Sequence, residues 1–151
     1  MKRREFIAAA ASLALAPGAL RAQENPIAPI DPKDPDVQSV TKGAPIRSGR
    51  VKLELPPLAD NGNSVAMKLT VESPMTPQDH VRAVHLFSER NPVRHMAAFH
   101  LGPKSGRAEI ASRIRLAGSQ KIVALAEMSD GSFWAGSASV VVTLSACLDE
   151  S

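Results

Sequence analysis

The sequence has no tyrosine, one tryptophan, four phenylalanines and one cysteine in 151 residues. One cysteine excludes a disulfide within the chain, including the bridge that braces antibody domains. A core this poor in aromatics must rest on Val, Ile, Leu, Met and Ala. Motifs of familiar chemistry are missing as well. There is no glycine-rich phosphate loop, no CxxC pair and no His-Glu-x-x-His. The four histidines, His80, His85, His95 and His100, form no compact pair at helical spacing. Packing or surface hydrogen bonding accounts for them more simply than a metal site, which needs convergent ligands. No residue is assigned to catalysis, to a cofactor or to a metal.

The one long apolar run lies at the start. Met1-Lys2-Arg3-Arg4-Glu5-Phe6 precedes an Ala/Leu-rich stretch from Ile7 to about Ala16, then Pro17, Gly18 and a small-residue exit at Ala22. That is the three-part layout of a cleaved signal peptide. Arg3-Arg4 with Phe6 resembles the twin-arginine signal, so residues 1–22 are expected to direct export to the periplasm. The run is too short for a spanning helix, which needs about 20 apolar residues, so no membrane attachment is expected after cleavage. Those 22 residues hold four of the 18 basic side chains and one of the 15 acidic ones, which leaves 14 of each. The basic balance belongs to the signal, and nucleic-acid binding loses its electrostatic footing.

Residues 23–48 are rich in proline and charge, with Pro26, Pro29, Pro32, Pro35 and Pro45. Closely spaced prolines break regular ladders. This stretch reads as a leader along the domain or a linker, with a short helical turn around Val37–Thr41. From Gly49 the pattern has period two, the strand signal. Val51, Leu53 and Leu55 alternate with Lys52 and Glu54. Val65, Met67, Leu69 and Val71 alternate with polar residues. Val81–Ser88, Met96–Leu101 and Ala108–Leu116 follow. Ile122–Met128 is nearly all apolar, which predicts burial on both faces. Ser129-Asp130-Gly131-Ser132 is a hairpin turn, and Phe133–Ser137 and Ser139–Leu144 complete the set. Seven or eight short strands with turns between them predict an all-β antiparallel sandwich over residues 49–144. Arg107, Arg113 and Arg115 form a basic row on one strand face, read as a solvated face or an anion-binding one.

Residues 145–151 form a C-terminal arm bearing Cys147, four residues before Ser151. An unpaired cysteine in an exported protein indicates an intermolecular bond or a working thiol, since the thiolate is the reactive form. Chain ends are mobile unless tied down. An incidental thiol, a link between two chains and a covalent handle offered to other proteins all remain open on spacing alone.

Five blocks carry a resemblance. Gly49-Arg50-Val51-Lys52-Leu53-Glu54-Leu55-Pro56, Glu72-Ser73-Pro74-Met75-Thr76-Pro77-Gln78-Asp79-His80-Val81 and Phe87-Ser88-Glu89-Arg90-Asn91-Pro92 are three of them. Arg113-Ile114-Arg115-Leu116-Ala117-Gly118 and Ala126-Glu127-Met128-Ser129-Asp130-Gly131-Ser132-Phe133-Trp134 are the others. In order and spacing they are similar to the SoxY carrier proteins of sulfur oxidation. The resemblance implies an immunoglobulin-like β-sandwich of about seven strands, paired with a SoxZ subunit as a heterodimer. It implies a carrier rather than an enzyme, with sulfur intermediates from thiosulfate held covalently on Cys147 and no other cofactor. The partners it implies are the haem-containing SoxXA, which loads thiosulfate, the hydrolase SoxB, which releases sulfate, and SoxCD, which oxidises the remaining sulfane sulfur. The departure lies at the arm. The family reads Gly-Gly-Cys-Gly-Gly, whereas this chain reads Ser145-Ala146-Cys147-Leu148-Asp149-Glu150-Ser151. Leu148 adds bulk where glycine keeps an arm thin. Asp149, Glu150 and the terminal carboxylate disfavour a thiolate and repel an anionic adduct. The alternative to a working carrier is therefore a divergent binding or assembly subunit with weakened carrier chemistry.

Overall fold

A computed structural model describes residues 30–145. The alternating strand Val65–Val71 buries Val65, Met67, Leu69 and Val71 and leaves Ala66 and Lys68 exposed. Such a one-sided strand needs a second layer to cover it, and the chain supplies one. The strands are β1 (Ile46–Ser48), β2 (Val51–Glu54), β3 (Leu58–Asn61), β4 (Val65–Val71) and β5 (Val81–Ser88). They continue with β6 (His95–His100), β7 (Glu109–Ile114), β8 (Gln120–Met128) and β9 (Phe133–Leu144). One sheet has three strands in the order β2-β4-β7. The other runs β1-β9-β8-β5-β6, with β3 also paired to β9. Side chains of Leu69, Val84, Leu86, Leu116, Ile122 and Met128 meet between them. The fold is an immunoglobulin-like β-sandwich.

The structure differs from the sequence reading in two places. The expected strands Phe133–Ser137 and Ser139–Leu144 are one continuous strand. β8 pairs with β9 in unbroken register from Glu127↔Phe133 to Gln120↔Val140, so the small residues Gly136 and Ser137 make no turn. Two short strands, β1 and β3, also went unread, which brings the described strands from about seven to nine. Both run parallel to β9 along its free edge, β1 beside Phe133–Ala135 and β3 beside Val141–Leu144. Between them the chain crosses to the opposite sheet as β2, passing directly over Gly136. A Cβ at Gly136 would lie 2.3 Å from the Val51 carbonyl oxygen.

The described part of the proline-rich stretch lies along the domain, as the leader reading expects, with its helical turn in place. Helix α1 (Pro35–Thr41) is capped by the Asp34 carboxylate, which accepts from the Asp36 amide. Asp34 also pairs with Arg94 beside β6. Val37 of α1 and Ile46 of β1 pack with Phe87, Val123, Leu125 and Phe133 on the outer face of the larger sheet. That small second core explains the apolar run of β8. Ile122, Ala124 and Ala126 fill the inner core, while Val123 and Leu125 fill the outer one.

Candidate functional site

Cys147 and the expected signal at residues 1–22 lie outside the described residues. The structure does describe the root from which the cysteine-bearing arm leaves. β9 delivers the chain to Leu144 at one end of the sandwich, with β3 alongside it. The Leu144 carbonyl accepts from the Gly62 amide at 2.7 Å, and the Gly62 carbonyl accepts from Leu116 at 2.8 Å. The turn Asn61-Gly62-Asn63 thus joins the end of β9 to the end of β7. From the other side, Ser119 Oγ accepts from the Val142 amide at 2.8 Å.

Behind this root stands a side-chain network between two loops. Ser88 Oγ donates to Gln120 Oε1. Asn91 Oδ1 accepts from the Ala117 amide at 2.9 Å and from Gln120 Nε2 at 3.0 Å. Asn91 Nδ2 donates to the Arg115 carbonyl at 2.8 Å. Ser88 and Gln120 are buried polar residues, and buried polar groups keep their place only when paired. Each pairs the other here. Gly118 completes the root with φ +143°. A Cβ there would meet Ser145 Oγ at 3.4 Å and an Arg90 guanidinium nitrogen at 3.8 Å.

The five sequence blocks therefore gather at two poles. Phe87–Pro92 and Arg113–Gly118 build the arm root. The other three meet at the opposite end of β9, where Arg50 stacks over Trp134 at 4.9 Å. There the His80 amide donates to Ser129 Oγ at 3.1 Å, and the Glu72 amide donates to the Arg50 carbonyl at 2.8 Å. Nothing in one-dimensional spacing announces which loops meet. The signal available in the sequence was the amide-rich Asn91 and Gln120 flanking apolar strands.

The basic row is split. Arg113 and Arg115 lie near the arm root, where Arg113 donates to Ser64 Oγ and Arg115 to Asn63 Oδ1, both at 3.2 Å. Arg107 precedes β7 at its other end. Beside Arg113 and Arg115 the edges of β6 and β7, unpaired among the described residues, enclose an open cleft of about 590 Å³, with Val93, Met96, Phe99 and Ile114 among its walls. Among the histidines, His85 Nδ1 and His95 Nε2 face each other at 3.1 Å, and both rings stack on Phe87. Burial, then the neighbouring His95 and His100, push the His85 pKa down to about 4. Among the described residues, no three His, Cys, Asp or Glu side chains converge as a metal site would require.

A family model described as sulfur oxidation protein SoxY matches residues 37–147. No curated protein matches the chain. Among solved structures, the sulfur carrier protein SoxY from Chlorobium limicola f thiosulfatophilum superposes with a TM-score of 0.60 at 19% identity. It covers 71% of this chain and 88% of that one. A superoxide reductase (neelaredoxin) from Ignicoccus hospitalis gives 0.55 at 15% identity, with 62% and 80% covered. A putative superoxide reductase from Thermotoga maritima gives 0.53 at 19%, with 68% and 89% covered. At such identities these likenesses describe the fold, which carrier and reductase share. The family model, matched over most of the chain, carries more: this chain belongs to the SoxY family of sulfur oxidation proteins.

Proposed function

We propose that this protein is a periplasmic sulfur carrier that holds thiosulfate-derived intermediates on Cys147, in a heterodimer with a SoxZ-like subunit. Its export is by the twin-arginine-type segment 1–22. One observation carries the reading: the family match runs through to Cys147, and β9 brings the chain to within three residues of that cysteine at a braced root. A carrier needs a reactive atom displayed by a scaffold that does not itself act on it. Loading joins the Cys147 sulfur to the outer sulfur of thiosulfate. The thiol proton is released, one S–S bond forms, and two electrons pass one at a time to the haem-containing SoxXA-type partner. Water then cleaves the bond to the sulfonate group in a SoxB-type enzyme, which releases sulfate and leaves a persulfide. A SoxCD-type enzyme oxidises that sulfur further. The scaffold binds no cofactor of its own in this scheme.

The test is mass spectrometry of the protein after incubation with thiosulfate and its partner enzymes. Wild type gains a thiosulfate adduct on Cys147, and Cys147→Ser gains none. An unmodified wild type in an assay that loads another SoxY would sink the reading. A second reading is favoured by Leu148, Asp149 and Glu150 standing where the family has glycines. It makes the protein a binding or assembly subunit with weakened carrier chemistry. Full sulfur-oxidising function of a Cys147→Ser variant would select it.

A further inference from the structure

Six of the eight arginines among the described residues fall into two groups by their partners, while Arg47 lies over the Trp134 ring. Arg50, Arg82 and Arg94 reach the carboxylates of Asp79, Glu127 and Asp34. Arg90, Arg113 and Arg115 instead donate to neutral oxygens: the Ser119 carbonyl, Ser64 Oγ and Asn63 Oδ1. Among the described residues no carboxylate pairs with any of these three. All three lie at the arm root. Arg90 and Ser145 share the space above Gly118. Arg115 is one turn residue from the hydrogen bond that holds Leu144. Directly beside Arg113 and Arg115 opens the apolar cleft of Val93, Met96, Phe99 and Ile114, where Val93 is 71% exposed. The chain that leaves this root carries Leu148, Asp149 and Glu150. The cleft wall meets the root through Asn91 and Arg115, and the three residues from Ser145 to Leu148 span up to about 10 Å when extended.

We propose that the segment Leu148–Glu150 docks back onto its own domain, with Leu148 in the β6–β7 cleft and Asp149 and Glu150 on the guanidinium groups of Arg90, Arg113 and Arg115. The pairing matches an acidic, leucine-bearing segment with a basic-rimmed apolar groove at its own root. It places Cys147 beside the sandwich when no partner enzyme holds the arm, and it gives the two carboxylates cationic counter-charges, which offsets their repulsion of the thiolate. Contacts at this exposed rim are weak individually, so the docked arm stays displaceable. Docking involves no sulfur chemistry and stands apart from the carrier reading.

Amide ¹H–¹⁵N spectra of the protein test it. Leu148→Ser/Asp149→Asn/Glu150→Gln is expected to move the amides of Val93, Phe99 and Ile114 while leaving those of β4 and β8 in place. Arg113→Gln/Arg115→Gln, altered on exposed positions of the domain side, is expected to move the amides of residues 148–150 in turn. Raising salt to roughly 1 M, where the screening length falls to about 3 Å, shifts wild type toward the tail variant. Changes confined to the neighbours of each substitution would overturn the proposal. Cleft shifts that follow protein concentration and ignore the tail would also overturn it, assigning the cleft to a second copy. Because adduct formation on Cys147 is scored separately, failure of one proposal is distinguishable from failure of the other.

Discussion

Replacing Asn91 with alanine should loosen the arm root. The Asn91 side chain makes three hydrogen bonds, to the Ala117 amide, to Gln120 Nε2 and to the Arg115 carbonyl. Each contributes roughly 0.5–1.5 kcal/mol net. Gln120 Nε2 keeps a second acceptor, the Gly118 carbonyl at 3.2 Å, and Asn91 is only half-buried, so water reaches part of the vacated space. The lower half of the range applies, and Asn91→Ala should cost about 2 kcal/mol. Asn91→Asp keeps both acceptor contacts but sets a carboxylate oxygen against the Arg115 carbonyl in place of the donated N–H, so it should cost about 1–1.5 kcal/mol. Urea unfolding of both variants measures the difference. Hydrogen exchange at the Val142 and Leu116 amides, which lie on either side of the root, should accelerate in the alanine variant ahead of exchange in β4. An alanine variant within about 0.5 kcal/mol of wild type, or an Asp variant worse than the Ala variant, would refute the account of this network.

Two further perturbations test other parts of the fold. Gly136→Ala places a methyl 2.3 Å from the Val51 carbonyl oxygen, where only backbone movement relieves it, so β2 and β9 must separate. A loss of about 3 kcal/mol is expected from overpacking of this kind, and a urea midpoint equal to wild type would show that the two strands do not approach so closely. For His85, the folded pKa of about 4 lies below the ordinary value of 6.5, so the unfolded chain takes up the proton first. The stability owed to the neutral ring is present in full above pH 6.5 and drains away as pH falls toward 4. Allowing for the water that reaches the ring, the loss is about 1–2 kcal/mol. His85→Phe should flatten that part of the stability–pH curve, and an unchanged slope in the variant would mean that other groups set it.

Some elements were readable because their physics is local. The alternation of Val65, Met67, Leu69 and Val71 marks a strand with one dry face, and that face is buried. Asp130-Gly131 marks a turn, and Gly131 adopts φ +83° there. The apolar run of β8 signalled two covered faces, although not that α1 supplies the second cover. Other elements were unreadable because distant partners define them. Leu58–Asn61 has little strand character of its own and becomes β3 by lying parallel to Val141–Leu144. The Gly136-Ser137 pair resembles a turn and is held straight by β8. Arg107 keeps company with Arg113 and Arg115 in the sequence, yet sits at the far end of β7.

The sequence by itself determined the family, the sandwich class and the single thiol, because block order, two-residue periodicity and a residue count are properties of a string. The tertiary structure alone decided what surrounds the point where that thiol departs. Asn91, Gly62 and Gly118 come from three separate loops, and only strand register brings them to one place. The same register sets Arg113 and Arg115 beside an apolar cleft and Arg90 above Gly118. A charge acts through space over a few ångströms, so its neighbours along the chain do not reveal which partners it will have.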